Sequence, residues 1–193
     1  MTTRSLLPTT VGRQPVGIFV PPSYRPNDVL IGPWSWCAIG DELTGAGASN
    51  FASTANPAAS RIVAYPFEIA EPFLVMKLWA VMGTTGLNNN SGVMVYSEAG
   101  TNLVNSAVSP ASNSIGEGNP ADTLLQPGRY WCGFMDTGTS NTPVASAMSA
   151  ALLRAAGCAQ MAGDGTTVQN FTPAAIASAF LPLAGIAGRT QVA

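Results

Sequence analysis

The chain has 193 residues, of which 9% are charged and 47% are hydrophobic, and its formal net charge is −2. This length fits one domain with extensions, and the composition excludes an intrinsically disordered chain, which combines low hydrophobicity with high charge. The basic residues are scattered singly, which argues against a nucleic-acid-binding surface. So few charges indicate a surface covered largely by partner proteins, with hydration by Ser, Thr and Asn as the alternative.

Residues 1–50 are predicted to form an extended docking arm. Prolines recur through this segment, and each one removes a backbone donor and disfavours helix for the residue before it. The apolar pieces between the prolines are too hydrophobic for a solvated tail, so we expect the arm to dock on this subunit or on a neighbour. The side chains expected to make these contacts are Ile18, Phe19, Val20, Trp34 and Trp36.

Residues 51–160 are predicted to form an antiparallel β-sandwich, because short β-forming runs alternate with turn signals such as Pro127-Gly128. Trp79 and Trp131 fall on predicted strands beside β-branched residues, and we expect both to face the interior between the sheets. The strands are expected at about 60–69, 72–83, 91–97, 101–107 and 129–136.

Four short motifs occur along the sandwich in a fixed order. They are Tyr65-Pro66-Phe67, the apolar run Phe73–Trp79, the run Val93–Ser97, and Pro127-Gly128-Arg129-Tyr130-Trp131. Their order and spacing resemble the jelly-roll domain of tailed-phage tail-fibre and tail-associated proteins, over roughly residues 55–160. The resemblance implies a jelly-roll β-sandwich followed by a C-terminal closing segment, residues 161–193. It also implies a strand or loop at residues 146–156, where Ala, Leu and Met instead favour a helix, and both alternatives stay open.

The resemblance further implies a structural virion protein, a tail or tail-fibre component that acts in assembly or host attachment. Its partners would be other virion proteins and its own copies, for example in a trimer, and it would be assembled in the host cytoplasm. A capsid decoration protein of the same fold is an alternative. A third is a carbohydrate-binding module, in which Trp34, Trp36 and Arg129 contact a host-surface glycan.

The residues that most enzymes use are scarce. The chain contains no histidine, so the commonest general base and metal ligand is missing, and the sequence predicts no catalytic residue, metal or cofactor. Glu68 and Glu71 could form a carboxylate pair, but solvated charges are the expected role. The three cysteines have no metal-binding spacing and are predicted to be buried free thiols. We expect no secretory signal, because residues 1–8 contain no long apolar run, and no membrane span, since Pro182 and Gly185 interrupt the most apolar late run.

Overall fold

The computed structural model describes residues 29–32, 51–52, 61–85, 91–108, 114–136, 141–163 and 167–190. The predicted all-β class is confirmed, because this part of the chain is mostly antiparallel β-sheet. Its elements are β1 Val29–Ile31, β2 Phe51–Ala52, β3 Arg61–Ile69, β4 Phe73–Thr85, β5 Ser91–Ser97, β6 Asn102–Ala107, β7 Ser114–Gly118, β8 Thr123–Leu125, β9 Gly128–Asp136, β10 Asn141–Pro143, β11 Ala145–Ala147, α1 Ala150–Ala155, β12 Ala159–Ala162, β13 Ala174–Ala175, β14 Phe180–Pro182 and β15 Ala184–Thr190.

The strands form two large sheets and one small one, and every pairing is antiparallel. Sheet I has the order β1-β15-β4-β10, and β7 and β8 also pair with β4. Sheet II has the order β13-β12-β3-β9-β5-β6. The small sheet has the order β14-β11-β2. The five strands predicted from sequence correspond to β3, β4, β5, β6 and β9, and their ends differ by two residues at most.

The main core contains side chains from both large sheets. Alternate residues of β3 enter it, because successive side chains of a strand point to opposite faces. It also receives inward-facing residues of β4, β5, β9 and β15. Its largest members are Tyr65, Phe67, Phe73, Leu78, Phe134, Leu153, Ile176, Leu181 and Ile186.

A β-bulge keeps the long strand β4 in contact with this core. Val75 pairs with Gly188 of β15 and Lys77 pairs with the preceding residue, so Met76 is the extra residue. The bulge shifts the alternation by one, and both Val75 and Leu78 therefore lie in the core. Gly188 permits the close approach, since a Cβ at this position would overlap the carbonyl oxygen of Leu74.

Two segments outside the predicted sandwich contribute to sheet I. Val29–Ile31, within the predicted arm, forms β1 and pairs with Ile186–Gly188 of the same chain. β15, within the predicted closing segment, lies between β1 and β4 in the sheet. The predicted boundary at residue 160 falls inside β12, which pairs with β3. The predicted arm and the predicted closing segment therefore both supply strands to the same fold as residues 61–136.

Residues 146–156 contain the end of β11 followed by the helix α1. Ser149 caps the helix, and its Oγ accepts a hydrogen bond from the backbone N of Leu152 at 3.1 Å. Leu153 enters the main core, and Gly157 follows the helix with φ of +79°. Helical propensity thus prevails in the second half of this segment, where a cap and a buried leucine support it.

The prediction that Trp79 and Trp131 face the interior between the sheets is wrong. Trp79 lies on the outer face of sheet I, where it packs with Leu183 and Ala187 and is 1% exposed. Trp131 is partly exposed on the outer face of sheet II. The inward positions of β9 are taken by its neighbours Cys132 and Phe134, and period-two alternation then places Trp131 outside.

Candidate functional surface

The outer face of sheet II carries a second apolar cluster. Its buried members are Ile62, Ala64, Met94, Tyr96, Met135, Ala159 and Phe171. Phe171 belongs to residues 167–173, which we call the covering segment, and it stacks on the ring of Tyr96 with centroids 5.2 Å apart. Sheet II is therefore apolar and covered on both faces over part of its area.

Hydrogen bonds attach the covering segment to the end of sheet II. The backbone N of Phe171 donates to the carbonyl of Gly100 at 2.7 Å. Asn102 Nδ2 donates to the carbonyl of Thr167 at 2.8 Å, and the backbone N of Asn102 donates to Asn170 Oδ1 at 3.0 Å. Because these bonds join β6 and its preceding turn to the segment at several points, the position of Phe171 is well defined.

Trp131 lies at the border of this cluster and remains partly exposed. Its Nε1 donates to the carbonyl of Glu98 at 3.2 Å, and its ring centroid is 5.5 Å from that of Phe171 with the planes at 59°. Pro66 of β3 and Tyr96 of β5 are its register partners on either side. The indole is therefore held in one orientation while part of it reaches solvent.

A row of charged side chains lies next to Trp131. Arg129 is two residues earlier on β9, so it projects from the same face. Its Nη1 is 3.3 Å from Glu98 Oε1, and these two side chains are 61% and 67% exposed. Glu68 is the register partner of Arg129 on β3 and is also exposed. These side chains are accessible to a ligand because they are exposed, and an exposed ion pair such as that of Arg129 and Glu98 contributes little to stability.

We call the residues Pro66, Glu68, Glu98, Arg129 and Trp131 the Trp131 patch. Its elements are rigid strands and one short turn, so its geometry is set by the register of β3, β9 and β5. An aromatic ring beside alternating carboxylate and guanidinium groups can contact an apolar surface and form hydrogen bonds along one edge of it.

The predicted site residues are divided between this patch and the part of the arm that lies outside the described residues. Arg129, predicted as a possible glycan contact, lies in the patch. Trp131 and Glu98 complete it, although the sequence did not single them out for this role. The signal that could have found Trp131 is its spacing of two from Arg129, which places both on one face of a strand. The predicted arm contacts Ile18, Phe19, Val20, Trp34 and Trp36 lie outside the described residues.

The outer face of sheet I offers a different surface. Lys77 Nζ and Glu117 Oε2 form an ion pair of 2.7 Å between β4 and β7. Trp79 is buried, and its Nε1 donates to the carbonyl of Ile186 at 3.1 Å. This tryptophan therefore stabilises the pairing of β4 with β15 and is not available to a ligand.

Reactive groups are few within the described part of the chain. Cys132 and Cys158 are buried and form no disulfide, and burial raises the pKa of the Cys132 thiol to about 12, so it stays protonated at neutral pH. Within the described ranges, no three His, Cys, Asp or Glu residues are grouped to hold a metal ion. No helix among these same residues is long and apolar enough to cross a membrane.

Comparison with known proteins identified no matching family model, no matching curated protein and no matching solved structure.

Proposed function

We propose that this chain is a jelly-roll structural protein of a tailed-phage particle, most directly a tail or tail-fibre component. The main support for the proposal is the position in the fold of the sequence motifs that resemble this family. Three of the four, Tyr65-Pro66-Phe67, Val93–Ser97 and Tyr130-Trp131, lie on β3, β5 and β9, which are adjacent strands of sheet II, and Phe73–Trp79 lies on β4 of sheet I. Motifs far apart in sequence therefore meet in one structural unit, as expected if they define a common fold.

The composition supports a role in assembly. Only 9% of the residues are charged, so neighbouring subunits can pack against the protein without desolvating many charges. We propose that other virion proteins and further copies of this chain, in a trimer for example, are its partners. Ile18, Phe19, Val20, Trp34 and Trp36 of the arm are the proposed contacts. The proposed location is the virion, after assembly in the host cytoplasm.

The proposed role requires no catalysis. A chain without histidine lacks the commonest general base, and the described cysteine Cys132 has a raised pKa that opposes nucleophilic attack. A capsid decoration protein of the same fold is the alternative within this class. A low content of charged residues suits a tail component and a capsid decoration protein equally, so the position of the protein in the particle has to be measured.

Immunogold electron microscopy of particles from the virus that encodes this chain tests the proposal, with an antibody raised against residues 51–190. We expect label on the tail. Label over the head would replace the tail role by capsid decoration, and particles without label would refute a structural virion role. Particles produced without the gene provide the control for antibody specificity.

A further inference from the structure

We propose that the Trp131 patch is a carbohydrate-binding subsite for a pyranose ring. This inference rests on the geometry of the patch and does not depend on the proposed place of the protein in a virion. It concerns Trp131, Glu98 and Arg129, whereas the sequence pointed to Trp34 and Trp36 for stacking on sugars.

The aromatic part of the patch suits the apolar face of a sugar. A pyranose presents C–H groups on its faces and hydroxyls around its rim, so it binds where an aromatic ring adjoins polar groups. Trp131 is partly exposed and is fixed by its bond to the carbonyl of Glu98 and by the contact with Phe171. A ring that is already held in place loses little conformational freedom on binding, which favours affinity.

The polar part supplies matching donors and acceptors. Glu68 and Glu98 flank Arg129, the first through the β3–β9 register and the second through the 3.3 Å ion pair. Carboxylates accept hydrogen bonds from hydroxyls, and guanidinium groups donate to them, so the row can bind adjacent hydroxyls of one sugar. The row contains two carboxylates and one guanidinium and is therefore net negative, which favours a neutral sugar over a polyanion.

Binding to an array of immobilised glucose, galactose, mannose and N-acetylglucosamine oligosaccharides tests the proposal with the purified protein. We expect wild type to bind at least one of these glycans and Trp131→Ala to weaken that binding by about tenfold or more. Arg129→Gln and Glu98→Gln should each weaken it severalfold. Leu124→Ala, which truncates an exposed apolar side chain on β8 of sheet I, is the control and should bind as wild type.

Circular dichroism identifies the variants that remain folded. If Trp131→Ala does not fold, Arg129→Gln and Glu98→Gln, which change exposed side chains, still test the proposal. Failure of wild type to bind any glycan on the array would overturn the proposal. It would also be overturned if folded Trp131→Ala, or both charge variants, bound with unchanged affinity. None of these outcomes alters the immunogold result, so the two proposals fail separately.

Discussion

Replacing Tyr65 by Phe should remove the hydrogen bond that joins sheet II to sheet I inside the core. Tyr65 is on β3, is 3% exposed, and its hydroxyl donates to the carbonyl of Ala184 on β15 at 3.0 Å. The two residues are 119 positions apart in sequence. The substitution keeps the aromatic ring and its packing, so the change in stability reports the hydroxyl, which also forms a hydrogen bond with the thiol of Cys132.

The expected loss follows from the burial of both groups. An intramolecular hydrogen bond contributes about 0.5–1.5 kcal/mol, and a buried acceptor left without its donor costs about 1–3 kcal/mol. We therefore expect the free energy of unfolding to fall by about 1–2 kcal/mol. For a domain of this size, that loss lowers the melting temperature by about 2–8 °C.

Tyr130→Phe provides a matched control. Its hydroxyl also donates to a backbone carbonyl, that of Gln126 at 2.6 Å, but the bond is local and exposed to solvent. Water can replace it, so this variant should lose less than about 0.5 kcal/mol. Urea unfolding followed by tryptophan fluorescence measures both variants. Equal stability of the two, or a Tyr65→Phe variant as stable as wild type, would refute a contribution from the bond between the sheets.

Three further predictions concern a thiol, a glycine and the arm. The contribution of the buried Cys132 thiol to the free energy of unfolding should be complete below its unfolded-state pKa of 9.0. It should decline as the pH rises towards about 12, by up to about 1.4 kcal/mol per pH unit. Cys132→Ala should lack this part of the slope in urea titrations above pH 9; parallel slopes would contradict it. Gly100→Ala should cost about 2–3 kcal/mol in urea unfolding, because φ is +86° and a Cβ would overlap a carbonyl of the covering segment; an unchanged midpoint would contradict this. Removing residues 1–36 deletes β1, which pairs with β15, and should lower the calorimetric melting temperature; an unchanged value would show that β1 contributes nothing.

The positions of the strands were predictable because their signal is local. Period-two alternation and turn residues define β3, β5, β6 and β9 without any knowledge of their partners. Pro66 lies in β3 beyond the stretch Arg61–Ala64 that pairs with β12, and its register partner is Trp131 of β9. A proline can occupy such a position only where the backbone N–H that it lacks is not needed for a hydrogen bond to a neighbouring strand. The sequence alone does not show which positions meet this condition.

Which face of each strand meets the core was less predictable. Alternation separates the two faces of a strand, but it identifies the core face only when the other face is polar. In β5, Val93 and Val95 lie in the main core, while Met94 and Tyr96 are buried under the covering segment. With both faces apolar, the general tendency to bury large aromatic residues predicts an interior position for Trp131, and this prediction places it on the wrong side.

The pairing of strands that are far apart in sequence could not be predicted from the sequence. β15 is rich in Ala and Gly and resembles a loop or strap by composition, yet it pairs with β4 along seven residues. Its small residues are required by that position: a Cβ at Gly185 would overlap the carbonyl of Ile31 and meet the Trp79 ring. Close packing of three strands thus favours residues that local propensity scales assign to turns.

The low charge of the chain has a partial explanation within the fold. Composition alone indicates that partner proteins cover the surface. However, the outer faces of both sheets already hold buried apolar clusters formed by this chain. Uncharged side chains then supply polar contacts, as Asn102 does when it attaches the covering segment. The exposed large apolar residues in the described part are Leu103, Leu124 and Val168. Single apolar residues on a surface need no partner, so the proposed contacts with neighbouring subunits depend on the arm.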